Sequence, residues 1–173
     1  RLLEGESVTF SGLEFDISDA RIKPKPREPI PILVGGRSDA ALERAAKHSE
    51  GWIGVWCSAK RYAEAVGILA EKAEEFGRNH VDWSHGYQPW IGIDKEDSKK
   101  ARAAVAKGME DFYKIPFSKF ERYTPFGTPS EVAEQLVPYI EAGCRLFNLK
   151  VCASKPEEEM ELGAEVLALL RKN

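Results

Sequence analysis

The chain is short of the residues that make metal centres, covalent staples and strongly charged surfaces. Its 173 residues include three cysteines, Cys57, Cys144 and Cys152, an odd and widely spaced set without a Cys-X-X-Cys pair. That fits reduced thiols in a cytoplasmic protein, not a disulfide framework or a zinc site. Its three histidines, His48, His80 and His85, are isolated, so no metal is expected. Neither charge sign dominates: 25 Lys and Arg against 28 Asp and Glu leave a net charge of −3, which gives no electrostatic case for nucleic acid or an anionic membrane. No apolar run approaches the length of a membrane span, and no signal-peptide pattern opens the chain. No nucleophile–base pair or carboxylate dyad stands out either, so no residue is singled out as catalytic.

With 43% hydrophobic and 31% charged residues, the sequence is that of a globular domain with a full core. It is organised around Pro31-Ile-Leu-Val-Gly-Gly-Arg-Ser-Asp39. Ile32–Val34 is an apolar run of the kind a buried parallel strand uses, Gly35-Gly36 breaks it, and Ser38 with Asp39 starts a helix. A strand, two glycines and a helix N-terminus bring bare backbone N–H groups close to an anion, usually a phosphate. By itself the pattern is a weak signal, because most Gly-Gly pairs at strand ends are just tight turns.

Before this stretch, residues 7–17 read as a β-hairpin. A two-residue Ser11-Gly12 loop pairs Phe10 with Leu13 and Val8 with Phe15, placing the apolar residues on one face. Four prolines between Lys23 and Pro31 make an extended connector. From Ile32 onward strand and helix alternate four times. Strands are expected at 32–34, 52–56, 88–93 and 146–151. Helices follow at about 39–48, after a Ser58 cap, at about 97–113, and from the Thr128-Pro-Ser-Glu131 capping box to Ala142. The last helix starts near Ser154-Lys-Pro-Glu157, a second capping-box pattern. Pro116–Gly127 is a loop rich in aromatics, and loops of that length usually cover something or carry function. Four βα units imply parallel strands, in an open doubly wound layer or half of a (β/α)₈ barrel, with sites at the strands' carboxyl ends. Gly35-Gly36, Trp56-Cys-Ser58, Asp94 and Cys152-Ala-Ser154 fall along that edge.

The Pro26…Pro31 lead-in, Gly35-Gly36, Ser49-Glu-Gly-Trp52, Gly127-Thr-Pro-Ser-Glu-Val132 and Glu141-Ala-Gly143 arrive in an order and spacing that resemble the bacterial luciferase-like monooxygenase superfamily, whose members are flavin- or F420-dependent oxidoreductases. The family's Gly-Asp before the Gly-Trp turn is Ser49-Glu50 here, which keeps the negative charge and loses a glycine. The resemblance covers the carboxyl-terminal half of the family's barrel. It implies an α/β fold, a parallel (βα)₄ half of a TIM (β/α)₈ barrel preceded by a hairpin and Pro-rich connector. The expected organisation is one domain over 1–173, with residues 1–31 as hairpin and connector and 32–173 as four βα units. The start at Arg1 is read as a processed end or as part of a longer protein.

The resemblance further implies FMN or coenzyme F420 as cofactor, a small-molecule substrate, and a cofactor phosphate held at Gly35, Gly36 and the 56–60 segment, with Trp56, Ser58 and Lys60 as its named residues. Lys60 is also readable as a solvated lysine at a helix start. Arg37 reads either as a phosphate ligand or as a surface cation, and Trp56 either as an end-of-strand residue or as core. Asn148 and Lys150 on one face of the last strand suggest a lined lumen or a strand end in water. Raw sheet edges imply association, with a second copy or with the missing amino-terminal half-barrel. The function expected is oxidoreductase or monooxygenase chemistry once the barrel is complete. A catalytically silent flavin-binding or structural half-barrel is the alternative.

Overall fold

The computed structural model describes residues 1–172 and divides into two compact units, Arg1–Ile32 and the remainder from Leu33 onward.

In the first unit, β1 (Val8–Ser11) and β2 (Asp16–Ala20) form an antiparallel hairpin. The register pairs Phe10 with Ile17 and Ser11 with Asp16, so the connection has four residues and not the two expected from Ser-Gly. Two contacts set it: Gly12 N–H donates to the Phe15 carbonyl at 2.9 Å, and the Ser11 hydroxyl donates to Asp16 Oδ1. The expected pairing assumed a buried apolar face to enforce it. No such face forms, since Phe10, Phe15 and Leu13 are 54%, 75% and 104% exposed.

The second unit runs β3 (Leu33–Gly35), α1 (Asp39–His48), β4 (Gly51–Gly54), α2 (Ala59–Glu75), β5 (His85–Tyr87), β6 (Trp90–Ile93), α3 (Ser98–Tyr113), β7 (Phe126–Gly127), α4 (Pro129–Glu141), β8 (Cys144–Phe147), β9 (Lys150–Ala153) and α5 (Glu159–Leu170). Every strand pair is parallel, in the orders β3-β4-β5-β8 and β7-β6-β9. The longer strands β3, β4, β5 and β8 lie side by side in chain order, without the reversal that marks a doubly wound sheet, whereas the two-residue β7 departs from that order by lying on the other side of β6 from β9. The third expected strand, 88–93, is β6 alone, with an unexpected strand β5 before it across Gln88-Pro89, and the fourth comes in two pieces, broken at Asn148-Leu149. Pro89 has no N–H to give to a ladder. The breaks are bridged by Gln88 N–H to the Gly54 carbonyl and Asn148 N–H to the Tyr87 carbonyl, at 2.9 and 3.0 Å. Where β4 ends, β7 takes its place beside β6, with Gly92 N–H donating to the Pro125 carbonyl.

The expected helix starts hold at Ser38, Ser58, Asp97 and Thr128, each side chain accepting from the first turn. The last does not. A 3₁₀ turn over Pro156–Glu158 precedes α5, and the Ser154 hydroxyl is spent on Asp94 instead. The Pro116–Gly127 loop is ordered by two 3₁₀ turns, with Phe117 and Phe120 buried against Trp90, Val105 and Met109.

The main core lies between one face of the sheet and α1, α2, α4 and α5, around Trp52, Tyr62, Tyr87, Leu136 and Leu162. On the opposite face Leu33, Ile53 and Leu146 stand among Gly35, Gly51 and Gly86, and Leu146 is 43% exposed. Among the described residues no helix is long and apolar enough to cross a membrane.

Candidate functional site at the carboxyl ends of β3 and β4

The chain leaves β3 through Gly36 and β4 through Trp56, both with positive φ, +123° and +47°. At Gly36 a Cβ would come within 2.6 Å of Ala41 Cβ in the first turn of α1, so the turn requires glycine. Gly35 is under no such demand, because a Cβ there meets only Ile53 Cγ2 at 3.6 Å. The Gly36 carbonyl accepts from the Trp52 indole N–H at 2.7 Å. Trp52 is itself buried against Tyr62, so the core fixes the turn.

Trp56 is a bulky residue in the left-handed region, a conformation that costs of order 1–3 kcal/mol and persists only where neighbours enforce it. Arg37 Nη1 donates to its carbonyl at 3.4 Å and the guanidinium stands 5.8 Å from its ring centroid. The rings of Tyr113 and Phe120 pack on the indole at 5.1 and 5.0 Å.

Between the starts of α1 and α2 lies a cleft of about 370 Å³, lined in part by Arg37, Ser38, Trp56, Ser58, Arg61 and Tyr123. Two helix N-termini and two guanidinium groups thus border one cavity, and none of its lining residues is acidic. Ser38 Oγ accepts from Ala41 N–H at 3.3 Å and Ser58 Oγ from Arg61 N–H at 3.2 Å, which leaves first-turn N–H groups for a ligand. Arg37 has no carboxylate partner among the described residues. Arg61 pairs with Glu64 at 3.4 Å, but both side chains are more than 40% exposed, and such pairs contribute about 0–1 kcal/mol. An all-donor cavity flanked by cations fits a phosphate group.

Behind the cleft, the Cys57 carbonyl accepts from the Tyr139 hydroxyl at 2.6 Å and from the Tyr87 hydroxyl at 3.1 Å. These two rings stack 4.1 Å apart, and burial raises both hydroxyls above the ordinary tyrosine value, Tyr87 far above it. Burial also pushes the Cys57 thiol up to about 11, against the pull of Arg37 and Arg61. Cys57 is therefore a neutral packing group at physiological pH, not a nucleophile. Farther along the same edge, Asp94 at the end of β6 accepts from the Ser154 hydroxyl and from the N–H groups of Glu96 and Asp97, which together hold its carboxyl near 2. This contact ties two strand ends and takes no part in the cleft.

Of the expected site residues, Trp56 and Ser58 line the cleft and Gly36 shapes it, whereas Gly35 and Lys60 are exposed and lie outside its lining. Arg61 and Tyr123 were not among the expected ligands. Arg61 had a readable signal: it is the third residue after the Ser58 cap, and side chains in a first turn lean back toward the helix start. Tyr123 lies in the aromatic 116–127 loop that the sequence marks as covering something, but nothing local ties it to a cleft at Ser58, 65 positions earlier.

A family model described as luciferase-like monooxygenase matches residues 1–124. The chain belongs to that family. It is 36% identical, over an alignment of 193 positions, to an F420-dependent glucose-6-phosphate dehydrogenase of Microbacterium testaceum, covering 99% of this chain and 57% of the relative. In fold it is similar to an F420-dependent secondary alcohol dehydrogenase solved with an F420–acetone adduct, with TM-score 0.79 and 19% identity over 98% of this chain and 58% of the other. It is likewise similar to the monooxygenase RslO1 of Streptomyces bottropensis, with TM-score 0.72 and 20% identity over 97% and 57% of the two chains. The chain thus spans a little over half the length of these proteins.

Proposed function

We propose that this chain is the cofactor-phosphate-binding half of a flavin- or F420-dependent oxidoreductase, and that the cleft between α1 and α2 holds the phosphate. One observation carries the reading: two helix starts and two guanidinium groups converge on a cavity without acidic lining. Arg37 and Arg61 supply charge-assisted hydrogen bonds, and the Ser58 hydroxyl and first-turn N–H groups supply directional ones. Trp52 keeps the Gly36 turn in place, and Trp56 and Tyr123 wall the cavity and limit water. Gly35 and Lys60 serve as flanking positions in this reading, the one ending β3 and the other a cation beside the mouth. The bound cofactor, FMN or F420, supplies the hydride or the oxygen-activating chemistry, and the protein binds, orients and shields it.

The same reading makes the parallel sheet strands five to eight of a (β/α)₈ barrel. Three features support it: the chain-order succession β3-β4-β5-β8, a partly exposed apolar face at Leu33, Ile53 and Leu146, and relatives almost twice as long. The edges β3 and β8–β9 then pair with four further strands, from an amino-terminal segment or a second copy.

Fluorescence titration of FMN and F420 into the purified chain tests the function, with Arg37→Ala and Arg61→Ala alongside. Binding weakened by either variant supports it. Binding indifferent to both refutes the phosphate site, and binding without substrate turnover assigns the chain to a silent binding protein.

A further inference from the structure

The hairpin unit has two unlike faces. Along residues 7–11, Ser7, Thr9 and Ser11 alternate with Val8 and Phe10, so hydroxyls and apolar side chains fall on opposite faces. The polar face is satisfied from within. The Ser7 and Ser11 hydroxyls donate to Asp19 and Asp16, and the Thr9 hydroxyl accepts from the Asp19 N–H at 3.2 Å. The apolar face is uncovered. Phe10 stands opposite Ile17 in the register, and its ring leans over the tip, since a Cβ at Gly12 would come within 2.7 Å of it. Eleven large hydrophobic side chains are exposed among the described residues, and seven of them lie in Arg1–Ile32, led by Leu13, Phe15 and Phe10. Their exposed surface amounts to about four whole side chains, roughly 700 Å² at roughly 150–200 Å² each. One partner contributes about 800 Å² to an interface of standard size, and a two-stranded ribbon is marginal in water on its own.

The charges say what fits this surface. Residues 2–20 carry five acidic side chains and no basic one, whereas residues 21–27 carry Arg21, Lys23, Lys25 and Arg27 and no acidic one. All four cations are exposed, and none has an ion-pair partner among the described residues. Pro24 and Pro26 stiffen the segment between them, so the cations are displayed at a reduced entropic cost of binding. A partner of uniform charge would be drawn to one stretch and repelled by the other. A surface that joins apolar area to one acidic and one basic stretch is instead complementary to its own copy after a half-turn.

We propose that residues 1–32 form a self-complementary docking surface for a second copy of this chain, in a two-fold arrangement that sets the acidic hairpin of each copy against the basic connector of the other.

Sedimentation equilibrium of the purified chain at micromolar concentrations tests this, with far-ultraviolet circular dichroism recorded for every variant. The unchanged chain should be a dimer. Phe15 is exposed, so Phe15→Asp should fold like the parent; it should weaken the dimer by at least about tenfold, because the symmetry buries the new carboxylate twice. Glu4→Lys/Glu14→Lys and Lys23→Glu/Arg27→Glu should each weaken self-association by about tenfold. An equimolar mixture of these two variants should recover the parent's affinity as a heterodimer, since every reversed charge then meets its opposite. A chain that stays monomeric overturns the proposal and leaves this face to another segment or another protein. A dimer indifferent to Phe15→Asp and to both charge reversals overturns it too, because the copies then meet elsewhere, as at the sheet edges. Charge-reversed variants that dissociate and do not recover on mixing overturn the pairing of hairpin with connector.

Discussion

Gly35 and Gly36 are neighbours of one composition, and the structure assigns them opposite tolerances. Replacing Gly36 by alanine imposes two costs. The residue sits at φ +123°, where side chains are strained by of order 1–3 kcal/mol, and the new Cβ lands 2.6 Å from Ala41 Cβ, a backbone-anchored atom that cannot swing away. Overpacking of that kind adds about 1–3 kcal/mol, so the total loss is about 2–6 kcal/mol. For a chain of this size each kcal/mol moves Tm by about 2–4 °C, which makes the expected drop at least about 4 °C. Gly35→Ala meets only ordinary contact at 3.6 Å from Ile53 Cγ2, with no positive φ to maintain, and should stay within about 0.5 kcal/mol of the parent. Urea unfolding of the two variants, followed by far-ultraviolet circular dichroism, measures the difference directly. Equal destabilisation by the two, or a larger effect at Gly35, would show that the turn does not depend on the left-handed backbone and would remove the basis for placing N–H groups at the cleft.

Arg61→Ala should weaken phosphate-bearing ligands by about fivefold to tenfold in a fluorescence titration, with Lys60→Ala silent, because only the former lines the cavity. Tyr139→Phe removes a 2.6 Å hydrogen bond to the buried Cys57 carbonyl and should cost about 1–3 kcal/mol in urea unfolding, leaving the Tyr87 contact as the carbonyl's remaining donor. His85 Nδ1 accepts from the Trp52 N–H at 3.2 Å and must be neutral to do so, and burial holds its pKa below the ordinary value. The unfolded chain therefore binds the proton more readily than the folded one. The contribution is complete above the unfolded value of about 6.5 and is lost as pH falls through the lowered folded value. The urea midpoint should accordingly fall between pH 7.5 and 5.5, and His85→Gln should flatten that slope; an unchanged slope would count against the assignment.

Element order, helix starts and helix faces were legible in the sequence because each rests on local chemistry. Ser38, Ser58 and Thr128 cap helices by accepting N–H groups a few residues away, and Leu42, Tyr62 and Val105 are buried because helical spacing puts them inward. The hairpin register was misread because its cue, alternation of apolar residues, has force only when one face is buried, and Phe10 and Leu13 face water. The Ser154 cap was misread because Asp94, 60 positions away, competes for the same hydroxyl. At the site, Gly36, Trp56 and Ser58 were visible through the strand–turn–helix pattern. The partition between Lys60 and Arg61 was legible only in part: the first-turn lean of Arg61 could be read, but which of the two adjacent positions lines the cavity depends on where α1 packs. Tyr123 reaches the cleft by tertiary packing alone.

The tyrosine pair beneath the cleft has a consequence for the order of events in folding. The Cys57 carbonyl is fixed by hydroxyls 30 and 82 positions further along the chain. Closing loops of those lengths is entropically unfavourable until the intervening strands and helices have condensed. The backbone at the rear of the cleft therefore settles only after α4 has docked. A nascent chain that has emerged as far as α3 carries Gly36, Arg37, Ser58 and Arg61 and still lacks the second of the hydroxyls that set their geometry. The cleft takes its final shape only once Tyr139, a residue outside its lining, is in place.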